Sequence, residues 1–216
     1  MTEAELRAEI CRVGRSLFER GYVHATAGNI SARLDDGCFL ITPTDACLGL
    51  LQPDTLAKVD ADGQQLSGQR ASKTLALHRC IYAADAQAGS VIHSQSTHLV
   101  ALTLAGVWRP DDILPPITPY YVMKVGHVPL IPYHCPGDAA VGELVAQAIA
   151  ARPGMLRAVM LDRLGPNVWH RSPAEASAVL EELEEAAKLW LLTTPKPAPL
   201  SDEQIAELRS RFGARW

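Results

Sequence analysis

The sequence predicts an α/β fold built on one mixed sheet with helices on both faces. Three observations carry that expectation. Short apolar runs bounded by Gly, Pro or acidic turns recur as strands, at residues 39–42, 57–59, 90–93, 128–131 and 156–161. Segments with helical apolar spacing stand before, between and after them. The two kinds alternate irregularly and without internal repeat, which favours a mixed sheet over a strict parallel βαβ array. At 216 residues the chain suits one domain with a sizeable core.

The elements follow in order. Leu6, Ile10, Val13 and Leu17 fall on one helical face, Thr2 and Glu5 form a capping box, and Gly21 is a stop signal. A glycine-containing loop is expected over residues 25–31. Two short strands follow, and an acidic turn over residues 60–63. Residues 72–83 read as a helix with Leu75, His78 and Ile81 aligned. A buried strand, 90–93, leads into a short helix, 97–104. Four prolines make residues 108–119 a loop. Asp138 caps a helix running to about Ala151. Ser172, Pro173 and Glu175 are a strong start for a helix reaching Leu192, with Val179, Leu180, Leu183, Ala187 and Trp190 inward. A Pro-rich linker, 195–199, precedes a last amphipathic helix capped by Ser201 and Gln204 and carrying Ile205, Leu208 and Phe212. The division expected is a main domain over 1–194, with 195–216 packing on it or on a neighbouring subunit.

Composition excludes several classes. Net charge is −4, from 20 basic and 24 acidic residues, and no basic tract with interleaved aromatics suggests a nucleic-acid partner. No apolar stretch reaches the roughly 18 residues that span a membrane. The first 20 residues carry spaced charges instead of a signal-peptide core. Five scattered cysteines without a CxxC pair read as reduced thiols in a cytoplasmic protein.

Six segments place polar groups where chemistry is possible. Thr26 to Ser31 combines a glycine with Asn29 and Ser31, which offer hydrogen bonds to a ligand. Thr42 and Thr44 end a strand in hydroxyls. Ser72 and Lys73 open a helix, a natural seat for phosphate. His93, at the end of a buried strand, shares a face with Gln95, and His98 lies nearby. Tyr120, Tyr121, Lys124, His127, Tyr133 and His134 crowd one Pro-bounded region. Asp162, Arg163, Leu164 and Gly165 form a strand end turning on glycine. Taken alone, each has an ordinary reading as turn, cap, strand exit, structural histidine or aromatic packing.

Together, in this order and spacing, the segments resemble the class II aldolase/adducin family over about residues 6–192. The residues that carry the resemblance are Gly28 to Ser31, Ile41 to Thr44, Ser72-Lys73, Ser96 to His98, Tyr120 through Val125 to His134, and Glu175 to Glu184. The nearest likeness is to decarboxylase-like members acting on phosphorylated four-carbon keto acids. The resemblance implies a single α/β/α three-layer domain with a mixed, mainly antiparallel sheet, a cytoplasmic homotetramer with the site between subunits, and a small anionic substrate. It implies that Asn29, Thr44, Ser72 and Lys73 hold the substrate phosphate. It further implies zinc or manganese bound by an H-x-H pair on a strand and a third histidine in an N-H-G turn, with a glutamate at a helix start as acid/base.

At those metal positions this chain departs. His93 keeps the first ligand place, Gln95 replaces the second histidine, Leu164 the third, Arg163 the preceding asparagine, and Thr74 the acidic residue. Asp45 adds a carboxylate to the phosphate loop. A zinc site needs about three or four N, S or carboxylate ligands, so the expected cofactor is none, or a weakly held divalent metal on His93. Three readings follow. The first is a carbon–carbon lyase of aldolase or decarboxylase type working without a tight metal, with Arg163 or Lys73 as electrophile, His93, His98 or Tyr120 moving the proton, and Gln95 in the substrate pocket. The second is a non-catalytic adducin-like binding or scaffold subunit. The third is a repurposed biosynthetic enzyme with a different substrate.

Overall fold

A computed structural model describes residues 1–216. Eight strands form one sheet: β1 (Asn29–Arg33), β2 (Phe39–Ile41), β3 (Ala57–Val59), β4 (Gln65–Ser67), β5 (Ser90–His93), β6 (Leu130–Ile131), β7 (Ala158–Leu161) and β8 (Gly165–His170). Their spatial order is β4-β3-β2-β1-β5-β8-β7-β6, and every pairing is antiparallel except β6 with β7. The sheet is therefore mixed and mainly antiparallel, as the resemblance implied.

Six helices complete the fold: α1 (Glu3–Glu19), α2 (Leu75–Ala84), α3 (Thr97–Ala105), α4 (Ala140–Ala151), α5 (Pro173–Leu192) and α6 (Asp202–Phe212). Alternation along the strands separates two apolar layers. Ile30, Ala32, Leu40, Ile92, Met160 and Val168 face α1, α3 and α5. Phe39, Ile41, Val59, Val91, Val159 and Trp169 face α2 and α4. The Thr2 and Ser201 capping boxes and the Ser172 cap all form, because these are local signals that need no tertiary partner. Within α6, Ile205 is buried and Phe212 is exposed.

Several local expectations change. Residues 29–31 lie in a strand, because β1 pairs on both sides and this overrides the loop-like composition. Residues 165–170, unassigned beyond a glycine turn, form the longest strand, again paired on both sides. The helix expected from Ser72 starts at Leu75, and Ser72 does not cap it as an N-cap residue. Only residues 130–131 of the 128–131 run join the sheet, since the Val128 N–H donates to the Asp112 carboxylate instead. The crowded Tyr/His region contains a single π-helical turn, Tyr121–Val125.

Candidate active site

Two glycines set the spacing of the site. Gly28 and Gly165 both have positive φ, +83° and +108°. A Cβ on Gly28 would sit 2.9 Å from the His93 carbonyl oxygen, and one on Gly165 would sit 2.0 Å from that of Ser94. Only glycine lets β1 and β8 enter so close to the end of β5. The register that results places Asn29, His93 and Asn167 side by side on three adjacent strands. Directly opposite residues share a face, so all three lie on the α2/α4 side, with Ser31, Val91 and Trp169 as the next row.

His93 is oriented by its backbone surroundings. Its Nδ1 lies 3.0 Å from the Pro166 carbonyl oxygen, which only accepts, so Nδ1 carries the proton and donates. Nε2 is left with its lone pair free. Burial pushes the His93 pKa down to about 4, against a smaller opposing effect of the Pro166 carbonyl, so the ring is neutral at neutral pH.

His78 reaches the same face from α2 and is fully buried. Its Nδ1 is 2.8 Å from Ser31 Oγ, which is 2.7 Å from Tyr82 Oη. Ser31 Oγ thus bridges the His78 ring and the Tyr82 hydroxyl. Burial, with a smaller contribution from His93, lowers the His78 pKa to about 3.

The phosphate-side residues are gathered by backbone bonds. The Ile30 N–H donates to Thr42 Oγ1, the Ser72 N–H to the Thr42 carbonyl, and the Thr44 N–H to the Arg70 carbonyl. Asn29, Thr44 and Ser72 thus come from three segments held together at one end of the sheet. Ser72 Oγ accepts from the Thr74 N–H at 3.4 Å and lies 3.3 Å from Thr74 Oγ1, while Lys73 is exposed. Gln95 is half-buried just past β5, its Cα 3.2 Å from where a Gly165 Cβ would stand.

Other sequence candidates sit elsewhere. His98 turns toward α5: Glu184 accepts from its Nδ1 at 2.8 Å and its backbone N–H at 2.9 Å, and from the Leu99 N–H at 3.1 Å. Tyr120 is 60 % exposed, outside the row. Arg163 is exposed, in left-handed backbone with φ +62°, and its N–H donates to Thr103 Oγ1. His127 donates to Asp112 and stacks on Trp216 with centroids 4.4 Å apart, a packing role. Sequence reasoning overlooked Asn167, hidden behind a Gly-Pro that reads as a turn, and treated His78 only as a helix-aligned residue. Its place in the inward stripe of α2 was the available signal.

The donor set does not fit a tightly held divalent metal. His93 Nε2 is one suitable ligand, Gln95 adds at most a neutral amide oxygen, and Leu164 packs against the α2/α4 apolar layer. No three His, Cys, Asp or Glu side chains gather to hold a metal anywhere in the fold.

Known proteins agree with this architecture. The family described as Class II Aldolase and Adducin N-terminal domain matches residues 8–191. A 3-oxo-tetronate 4-phosphate decarboxylase of Cupriavidus necator is 59% identical over 220 residues, covering 100% of this chain and 99% of that protein. The protein of the same name from Pectobacterium atrosepticum is 42% identical, covering 96% and 94%. The crystal structure of YgbL from Klebsiella pneumoniae superposes with a TM-score of 0.89 at 41% identity, covering 97% of this chain and 100% of that one. A fold matched along most of the chain and a relative identical at more than half its positions lead to one assignment: the chain belongs to the class II aldolase and adducin family.

Proposed function

We propose that this protein is a carbon–carbon lyase of the decarboxylase type acting on a small phosphorylated 3-oxo acid without a tightly bound metal. The observation that carries the reading is the 59% identity, over the full length of both chains, to a 3-oxo-tetronate 4-phosphate decarboxylase. The substrate in that name has a ketone β to the carboxylate. When its C1–C2 bond breaks, CO2 leaves and the electron pair passes through C2 to the ketone oxygen as an enolate. C2 then takes a proton from solvent and the ketone re-forms. The demand on the protein is hydrogen-bond donation or positive charge at that oxygen, and a preorganised donor set can supply it.

The residues divide accordingly. Asn29, Thr44 and Ser72, with the exposed Lys73, support an anion seat. His93 presents an unprotonated nitrogen beside it, and Gln95 lies on the same side. Arg163 and Tyr120 remain available at the surface, and we assign Tyr120 to a neighbouring subunit in a homotetramer. His98, tied to Glu184, is left out of the proton transfer.

The test is CO2 release from 3-oxo-tetronate 4-phosphate by protein dialysed against a chelator. The expected result is turnover unaffected by the chelator and weakened substrate binding in Lys73→Ala. Absence of CO2 release with binding retained would leave a non-catalytic binding subunit in its place, a reading favoured by the apolar packing of Leu164 at a ligand position.

A further inference from the structure

Four polar atoms around the site row are buried without any partner: Asn29 Oδ1, both amide atoms of Asn167, and His78 Nε2. Asn167 and His78 are 0% exposed and Asn29 8%. Each such atom destabilises the fold unless an oxygen or nitrogen meets it, and native interiors rarely leave them so. These four do not scatter. Asn29 and Asn167 flank His93 in register, and His78 stands one side chain away over Ser31, the next residue along that face of β1.

Their polarity is specific. Asn167 Nδ2 is a donor, and His78 Nε2 is free of any partner beside the row. Asn29 Oδ1 and His93 Nε2 are acceptors, and Asn167 Oδ1 is a third. An amide donor beside acceptors, with no charge among them, matches a ketone oxygen next to a hydroxyl. It matches neither a phosphate nor a bare cation. His93 is the most exposed of the three residues in the row.

We infer that Asn167 is a substrate-binding residue: its amide N–H holds the ketone oxygen of the substrate in place of a metal. This rests on the decarboxylase reading and adds to it the identity of the electrophile. In the reaction this N–H group meets the oxygen on which the enolate charge forms, where a donor contributes most.

The experiment compares Asn167→Val with Asn167→Thr, two side chains of one shape of which only Thr can donate. The expected result for Asn167→Val is a kcat lowered about 100-fold or more, with Tm raised by about 2–4 °C because an unpaired buried amide is gone. Asn167→Thr recovers part of the lost kcat. If Asn167→Val lowers Tm and leaves kcat unchanged, the amide serves a resident water alone and the inference is overturned. If the parent protein releases no CO2, the probe is 2-phosphoglycolate, whose carboxylate places an oxygen near the same distance from a phosphate. A thermal shift by this probe in the parent that is lost in Asn167→Val keeps the oxygen pocket while the lyase reading fails. An equal shift in both, or none in the parent, overturns the pocket.

Discussion

Glu184 and Asn167 are both buried polar residues, on opposite faces of one sheet, and they are treated in opposite ways. On the α1/α3/α5 face Glu184 accepts three hydrogen bonds, tying α5 to the first turn of α3. On the α2/α4 face the side-chain amide of Asn167 makes none. A buried polar group that is fully paired fixes the packing of elements. One left open holds hydrogen-bonding capacity for something outside the chain. The difference separates His98 from His93 as well. Both end up near the C-terminal end of β5, yet one has its Nδ1 committed to a carboxylate and the other presents a free Nε2.

The largest break of this contrast comes from rewriting the open face. Gln95→His with Leu164→His puts two further imidazoles where the family resemblance implies metal ligands beside His93. Dialysed double variant is expected to retain close to one zinc per chain by elemental analysis, against none for the parent, since three protein ligands suffice for an open zinc site. An equally metal-free double variant would mean that the strand ends do not converge as the resemblance implies.

Next in size is the closed face. Glu184→Ala strands the backbone N–H groups of His98 and Leu99 and leaves the part-exposed His98 imidazole without its partner. It should lower unfolding free energy by on the order of 3 kcal/mol in urea titrations. A loss near zero would show that α3 and α5 are held by apolar packing alone.

The smallest effect sharpens the comparison through pH. His78 and His93 have folded pKa values of about 3 and about 4, below the unfolded value near 6.5. The unfolded chain therefore binds more protons in that interval, so stability is full above about pH 6.5 and falls as pH drops toward 4. Each histidine adds a slope approaching one proton. His93→Asn should remove one proton's worth of slope between pH 6.5 and 4 in chemical denaturation series. A series parallel to the parent's would show that His93 is solvated enough to titrate normally.

Much of the fold was legible because its signals are local. Thr2 with Glu5, Ser172 with Pro173, and Ser201 with Gln204 each announce a helix without help from distant residues. The central strands β1 and β8 were not, because Asn-Ile-Ser-Ala-Arg and Gly-Pro-Asn-Val-Trp-His carry turn-forming residues. Pairing on both sides decides their conformation, and pairing is a tertiary fact. The same holds for the site. Asn29, His93, Ser72 and Thr44 could be found in the order of the segments. Asn167 could not, since its place opposite His93, 74 positions away along the chain, is set by strand pairing.

Gly28 and Gly165 bear on how such a site changes over time. They fix the approach of β1 and β8 to β5 through backbone alone, so the distance between neighbouring positions of the row does not depend on which side chains occupy them. The scaffold is thus indifferent to the reagents mounted on it. Exchange of the side chain at Gln95 or Leu164 leaves that backbone spacing in place, and so leaves an ordered surface on which selection can try a new chemistry.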